Sequence, residues 1–202
     1  MRLTEAHRRL LDLGVATFST NDAVAVLGVN VSYASKILDR LSESKHVIRL
    51  ARGRWALPER LQPFALPEAL TAPAPSYVSL YSALYHHGLI EQIPAVVYAV
   101  TLAATRRITT PLGTVSLHHV TPTFFTGFDT TGKNHVKLAT LEKALVDVFY
   151  LRPARSRLFR ALPELELPPT FSRRRARSYL KLIGSKSRRE LVAQRLERVL
   201  RS

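Results

Sequence analysis

Residues 29–57 constrain the fold of this chain more than any other stretch. They include a run whose apolar residues recur at helical spacing, so that they form one stripe along a helix. The Ser32 hydroxyl can accept a hydrogen bond from a free amide of the first turn, and we expect it to be the N-cap of this helix. The stripe consists of Ala34, Ile37, Leu38 and Leu41.

A short hairpin follows the helix. Residues 47–50 alternate like a strand, and residues 55–57 return as a second strand. Between them, Arg52, Gly53 and Arg54 form a tight turn with two cations at its tip. A helix followed by a basic-tipped hairpin is typical of the second half of a winged helix-turn-helix. In that fold the helix enters the major groove of DNA and the hairpin flanks it.

Two shorter helices are predicted before this stretch. Residues 4–13 form the first and end at Gly14. Ser19 or Thr20 caps the second, which ends at Gly28. Three helices with a short glycine-containing turn before the third are the skeleton of a helix-turn-helix unit. A three-helix unit without a ligand is the alternative.

The candidate DNA-binding side chains of this unit lie off the apolar stripe or at the hairpin tip. A lysine or arginine would read guanine, a serine or tyrosine would contact phosphate or a thymine methyl group, and the hairpin arginines would hold the adjacent backbone. These candidates are Ser32, Tyr33, Ser35, Lys36, Arg40, Arg52 and Arg54.

The charge of the chain supports a polyanionic partner. The formal net charge is +15, which favours nucleic acid. Residues 1–62 have ten cations and six acids, residues 63–151 have five of each, and residues 152–202 have fifteen cations and four acids. The C-terminal candidates, expected to add sequence-independent attraction, are Arg173, Arg174, Arg175, Arg177, Lys181, Lys186, Arg188 and Arg189.

Prolines separate two predicted domains. Five prolines fall between residues 58 and 75, and because proline removes amides and breaks helices, residues 59–75 should form a stiff, mostly extended linker with at most one helical turn. Residues 1–58 would then be the winged helix-turn-helix domain and residues 76–202 a second domain.

The second domain is predicted to be α+β, with a mainly antiparallel sheet and basic C-terminal helices. Ser79 should cap its first helix and Thr140 a later one. The predicted strands are residues 96–102, 106–110, 113–120, 124–128 and 136–139, with a polar turn over 129–134. The predicted helices are residues 79–87, 141–151, 155–162, 172–183 and 186–200. The last helix should have an apolar inward face formed by Leu191, Val192, Leu196, Val199 and Leu200. Its arginines should lie in solvent: Arg188, Arg189, Arg195, Arg198 and Arg201.

The sequence lacks the residue patterns expected of disulfides, metal sites and common catalytic motifs. The chain has no cysteine, which excludes disulfides, cysteine-bound zinc and thiol catalysis. The adjacent histidines at 86–87 and 118–119 diverge on a helix or strand and do not make a metal site alone. Glu142 and Asp147 are five residues apart, which is not the spacing of a carboxylate pair on a helix, and no phosphate-cradling loop precedes Lys143. We therefore expect no enzyme, no cofactor and no metal.

The N-terminal residues are charged throughout and do not resemble a signal peptide. The longest apolar candidate, residues 93–104, is too short to span a membrane. We expect a cytoplasmic protein.

Three stretches, residues 48–58, 75–90 and 138–147, resemble the AbiEi antitoxin family of bacterial abortive-infection systems. The first is similar to the family's wing, the second to the opening of its C-terminal domain, and the third to its threonine-proline-glutamate-lysine-alanine-leucine helix start, with Leu141 where proline is usual. The resemblance implies a type IV toxin–antitoxin antitoxin that takes part in phage defence and is a transcriptional repressor of its own operon, binding inverted repeats in the promoter. It also implies a nucleotidyltransferase-like toxin that is countered without a stable complex. A symmetric operator could be filled by a dimer or by two monomers side by side, so that a chain monomeric in solution would pair on DNA.

Two alternatives from other classes stay open. An RNA-binding or ribonucleoprotein-associated module would place the C-terminal arginines on an A-form backbone. An enzyme in the neutral middle domain would need a pocket with converging polar groups.

Overall fold

The structure is a computed structural model, and it describes residues 1–132, 135–151, 165 and 167–201. The predicted helix over 155–162 lies outside the described residues, as do residues 133–134 of the predicted polar turn. The described part of the chain is α+β. None of its helices has both the length and the apolar character needed to cross a membrane.

The N-terminal part contains three helices and a small antiparallel sheet in the order β1-β3-β2. The predicted three helices and hairpin are all present. Their bounds are α1 (Leu3–Asp12), β1 (Thr17–Ser19), α2 (Thr20–Leu27), α3 (Val31–Glu43), β2 (Ile48–Ala51) and β3 (Arg54–Ala56).

Side-chain caps start α2 and α3. Ser19 and Asp22 form a reciprocal capping box at α2, which confirms Ser19 as the cap. The prediction for α3 was wrong, because Asn30 is its cap and accepts from the Tyr33 amide at 2.9 Å. Ser32 lies inside the first turn instead.

The connector between the two predicted domains is largely helical. A 3₁₀ helix (Pro63–Ala65) continues into α4 (Leu66–Thr71), so the prediction of a mostly extended chain was wrong here. Both helices begin with a proline in their first turn, where a missing amide costs nothing. The proposed boundaries at 58 and 76 stay a prediction. One apolar cluster joins α4 to the hairpin and to the large sheet: Leu50, Ala56, Leu66, Leu70, Ala99, Val115 and Leu117.

The C-terminal part is built on a six-stranded sheet in the order β6-β7-β5-β4-β9-β8. Its pairings β4–β5, β6–β7 and β8–β9 are antiparallel, while β4–β9 and β5–β7 are parallel. Antiparallel pairings therefore predominate in a mixed sheet. The bounds are β4 (Ser76–Val78), α5 (Leu80–His86), β5 (Val97–Thr101), β6 (Arg106–Thr110), β7 (Gly113–His119), β8 (Phe128–Thr131), β9 (Val136–Ala139), α6 (Leu141–Leu151), α7 (Arg173–Leu180) and α8 (Lys186–Arg201).

Two predictions about this part need correction. Residues 124–128 are not one strand, because Pro122–Phe124 is a 3₁₀ helix and β8 begins only at Phe128. Ser79 precedes α5 but makes no capping hydrogen bond, since its hydroxyl donates to Asp147. Thr140 is confirmed as a cap, because its hydroxyl accepts from the Lys143 amide at 3.3 Å.

Three residues of α8 lie elsewhere than predicted, and one of them, Arg189, is half-buried rather than in solvent. Leu191 is 45% exposed rather than inward. Arg195 is half-buried and donates to the Phe149 carbonyl at 3.3 Å. The inward face of α8 is carried instead by Val192, Leu196 and Leu200.

Candidate nucleic-acid interface

One face of α3 is exposed and the other is buried. Ser32, Tyr33, Lys36 and Arg40 are exposed, and Ser35 is half-buried. The apolar stripe lies on the opposite face, where each of its four residues is at most 3% exposed. The side chains predicted to face DNA are therefore accessible together along the helix.

The exposed face carries cations without side-chain partners. Among the described residues, Lys36 and Arg40 make no side-chain hydrogen bond or ion pair. Asp39 lies on the same side of the helix, but its carboxylate is 3.9 Å from Nη1 of Arg49. The Arg49 guanidinium also lies over the Trp55 ring, 5.4 Å from its centroid. The two cations of α3 are thus free to bind an anion.

The two hairpin arginines are not equivalent. Arg52 is exposed at the tip, beside Gly53, whose φ of 68° suits the turn. Arg54 is half-buried and donates from Nη2 to the Ala72 carbonyl at 3.3 Å. Arg54 thus contacts the connector, whereas Arg52 projects from the hairpin.

The C-terminal cations divide into paired and unpaired groups. Arg177 donates to both carboxylate oxygens of Glu197, at 2.7 and 2.9 Å, and these hydrogen bonds hold the pKa of Glu197 below its usual range. Arg175 lies 3.9 Å from the buried Glu142 carboxylate. The Arg188 guanidinium lies 4.6 Å from the centroid of the Tyr150 ring.

The remaining C-terminal candidates keep most of their charge in solvent. Arg189 is half-buried, and Arg173 lies near enough to Glu197 to lower the pKa of that carboxyl. Among the eight C-terminal candidates, the exposed cations with no side-chain partner in the described part of the chain are Arg174, Lys181 and Lys186.

A buried polar cluster in the second half of the chain was missed by the sequence reasoning. We call Lys143, Asp147, Tyr77 and Ser79 the Lys143 cluster; none of the four is more than 1% exposed. Nζ of Lys143 is paired with the Asp147 carboxylate and donates to the Tyr77 hydroxyl at 2.8 Å. The Ser79 and Tyr77 hydroxyls donate to Oδ2 of Asp147 at 2.7 and 3.0 Å. Nζ also lies 3.9 Å from the centroid of the Phe124 ring.

Burial dominates the electrostatics of this cluster. It raises the pKa of Asp147 and lowers that of Lys143, although each partner opposes the shift of the other. Burial and the Asp147 charge together raise the pKa of Tyr77 well above its ordinary value. The sequence signal was the i, i+4 spacing of Lys143 and Asp147 on a helix. The Glu142–Asp147 pair that we considered has the wrong spacing, and Glu142 instead accepts from the Ser172 amide at 2.9 Å.

Within the described ranges, His, Asp and Glu side chains form no group of three or more that could hold a metal ion. The expectation that the protein needs no metal or cofactor stays a prediction.

No protein-family model matches the chain, and no curated protein matches it significantly. Any assignment of function therefore depends on the geometry of the candidate site and on the resemblance noted in the sequence.

Proposed function

We propose that the N-terminal part is a winged helix-turn-helix. In this arrangement α3 is the recognition helix and the β2–β3 hairpin is the wing. The order of three helices and a hairpin, with one exposed face on the third helix, supports this assignment. We further propose that the protein is a cytoplasmic repressor that binds inverted repeats in the promoter of its own operon.

One observation carries the proposal. Lys36 and Arg40 on α3 and Arg52 on the hairpin are exposed and lack side-chain partners among the described residues. Such cations bind phosphate or guanine at little cost, because no ion pair must first be broken. The net charge of +15 adds long-range attraction to the same ligand.

The antitoxin role is the second part of the proposal, and it depends on the resemblance to the AbiEi family. The protein would counter a nucleotidyltransferase-like toxin encoded beside it. Expression of that neighbouring gene alone should arrest growth of the host, and co-expression of this protein should restore it. Growth arrest that persists on co-expression would contradict the antitoxin role and leave the repressor role untouched.

Anisotropy measurements with a labelled promoter duplex test the repressor role. Lys36→Gln should weaken binding by about 1–3 kcal/mol and reduce discrimination at one base position, because a base contact is lost. Arg52→Gln should weaken binding to all duplexes equally, because a phosphate contact is lost. Arg107→Gln is the matched control, since Arg107 is an exposed arginine on β6 of the large sheet. Equal effects of all three variants would contradict the proposed interface.

An RNA-binding role is the second candidate. It is favoured by the exposed cations Arg174, Lys181 and Lys186, which lie far along the chain from α3 and suit a backbone of any sequence. A competition experiment with structured RNA separates the two roles. Promoter DNA should outcompete RNA if α3 reads bases, and RNA should win if the C-terminal cations dominate.

A further inference from the structure

A cleft lies where the N-terminal sheet, the connector helix and the large sheet meet. We call it the connector cleft. Its walls include Thr17 and Arg54 from the small sheet, Glu68 from α4, and Ser76 and Lys137 from the large sheet. Its volume is about 590 Å³, which is within the range of small-molecule sites, about 300–1,000 Å³. The cleft can therefore hold a ligand of metabolite size.

Ser76 gives the cleft an unused polar group. Ser76 is among the residues that line the cleft and is 1% exposed, and its buried hydroxyl has no hydrogen-bond partner in the described part of the chain. Buried hydroxyls in proteins are nearly always hydrogen-bonded. A polar atom of a bound ligand would supply the missing partner.

The cleft is lined by two cations and one acid. These are Arg54, Lys137 and Glu68. Lys137 is paired with Glu68, and the described hydrogen bond of Arg54 uses only Nη2. The remaining guanidinium donors match the geometry of a phosphate or carboxylate.

Apolar side chains complete the walls. Leu61, Phe64 and Val136 all line the cleft. Sites for organic ligands combine such an apolar lining with a few polar groups that fix orientation. The lining therefore suits an anion that carries an apolar or planar body better than it suits a bare inorganic ion.

We propose that the connector cleft binds a small organic anion, whose phosphate or carboxylate is held by Arg54 and Ser76, and that this ligand regulates DNA binding. The regulatory part rests on the proposed repressor function. Arg54 belongs to β3, which pairs with the wing strand β2, whereas Ser76 and Lys137 belong to the large sheet. A ligand that contacts both sheets favours one arrangement of the wing and thereby changes its affinity for DNA.

Isothermal titration calorimetry of the full chain at 0.15 M NaCl tests the site without DNA. The probes are the four common nucleoside 5′-monophosphates as phosphates, benzoate and citrate as carboxylates, and inorganic phosphate as the bare ion. At least one organic probe should bind saturably at one site per chain. Arg54→Gln and Ser76→Ala should each weaken it at least tenfold, with unchanged circular dichroism spectra. The matched control Lys45→Gln, at an exposed lysine outside the cleft, should leave it unchanged.

Other results overturn the proposal. If no probe binds saturably, the site does not exist. If Lys45→Gln weakens binding as much as Arg54→Gln, the probe responds to overall charge and not to the cleft. If inorganic phosphate binds as tightly as the organic probes, the apolar walls contribute nothing and the ligand class is wrong.

The regulatory part has its own readout. The bound probe should change the affinity for the promoter duplex at least threefold, and Ser76→Ala should abolish that change. Saturable probe binding with no effect on DNA affinity would overturn the regulatory role. Probe binding by a chain that never binds the promoter would overturn the proposed repressor function and leave the site intact.

Discussion

Replacing Asp147 by asparagine should expose the cost of the buried charge in the Lys143 cluster. Asparagine keeps the volume and one acceptor oxygen for the Ser79 and Tyr77 hydroxyls, but it removes the charge that pairs with Lys143. Because both partners are completely buried, the variant leaves a lone ammonium in the core. Breaking a buried pair in this way costs about 3–5 kcal/mol.

The double variant Lys143→Met, Asp147→Asn is the matched control. It removes both charges and keeps the volume, so its free energy of unfolding should be within about 2 kcal/mol of the wild-type value. Urea unfolding at pH 7, followed by far-UV circular dichroism, gives the free energies by linear extrapolation. Asp147→Asn should also lower Tm by about 6–20 °C in a chain of this size.

Either of two results would contradict this cost for the unpaired ammonium. The free energy of unfolding could fall by less than about 1 kcal/mol in Asp147→Asn, which would mean that water or another group stabilises Lys143. Alternatively, it could fall as much in the double variant as in the single variant, which would mean that the unpaired charge is not the cause of the lost stability.

The same cluster predicts a dependence of stability on pH. Burial raises the pKa of Asp147 above 3.8, so the unfolding free energy falls as the pH rises from 3.8 to the folded-state pKa. Burial lowers the pKa of Lys143 below 10.5, so the unfolding free energy rises as the pH rises from the folded-state pKa to 10.5. The double variant should lack both slopes.

Two further predictions concern local geometry. In urea unfolding, Asn30→Ala should lower the free energy of unfolding by about 1 kcal/mol, because Asn30 caps α3. Ser32→Ala should change that free energy by about a few tenths of a kcal/mol at most. The reverse order would identify Ser32 as the cap. Gly127→Ala should lower the Tm of the protein more than Gly88→Ala does. Both glycines have positive φ, but a Cβ at Gly127 would lie 2.7 Å from the Tyr179 hydroxyl, whereas a Cβ at Gly88 would meet nothing within 4 Å. Equal losses would show that Tyr179 moves aside freely.

Local patterns predicted most of the N-terminal part. Helical spacing of four apolar residues is enough to place α3, and Gly53 between two arginines is enough to place the hairpin. The cap was missed because Asn30 and Ser32 are both good N-cap residues. The choice between them depends on how the chain leaves Gly28, which ends α2 in the left-handed conformation.

Contacts between distant residues were harder to predict. The prolines indicated an extended connector, but Leu66 and Leu70 have an apolar surface to bury against, and tertiary burial outweighs weak local preferences. The i, i+4 spacing of Lys143 and Asp147 is visible in the sequence and indicates an ion pair on a helix. Their complete burial, however, depends on the packing of neighbouring helices around α6. Arg177 and Glu197 are twenty residues apart, and no local pattern shows that α7 and α8 bring them together.

In the proposed function, unpaired cations on α3 and the hairpin bind duplex DNA. The most direct test is the salt dependence of promoter binding, because each phosphate neutralised contributes about −0.9 to the slope of log K against log salt. Because Lys36 is assigned to a base, Arg40 and Arg52 alone give a slope of about −1.8 per chain, and contacts from Arg174, Lys181 and Lys186 would bring it to about −4.5. We predict a slope between these values that becomes about 0.9 shallower in Arg52→Gln and is unchanged in Arg107→Gln. A flat dependence, or a slope that Arg52→Gln does not alter, would contradict the account.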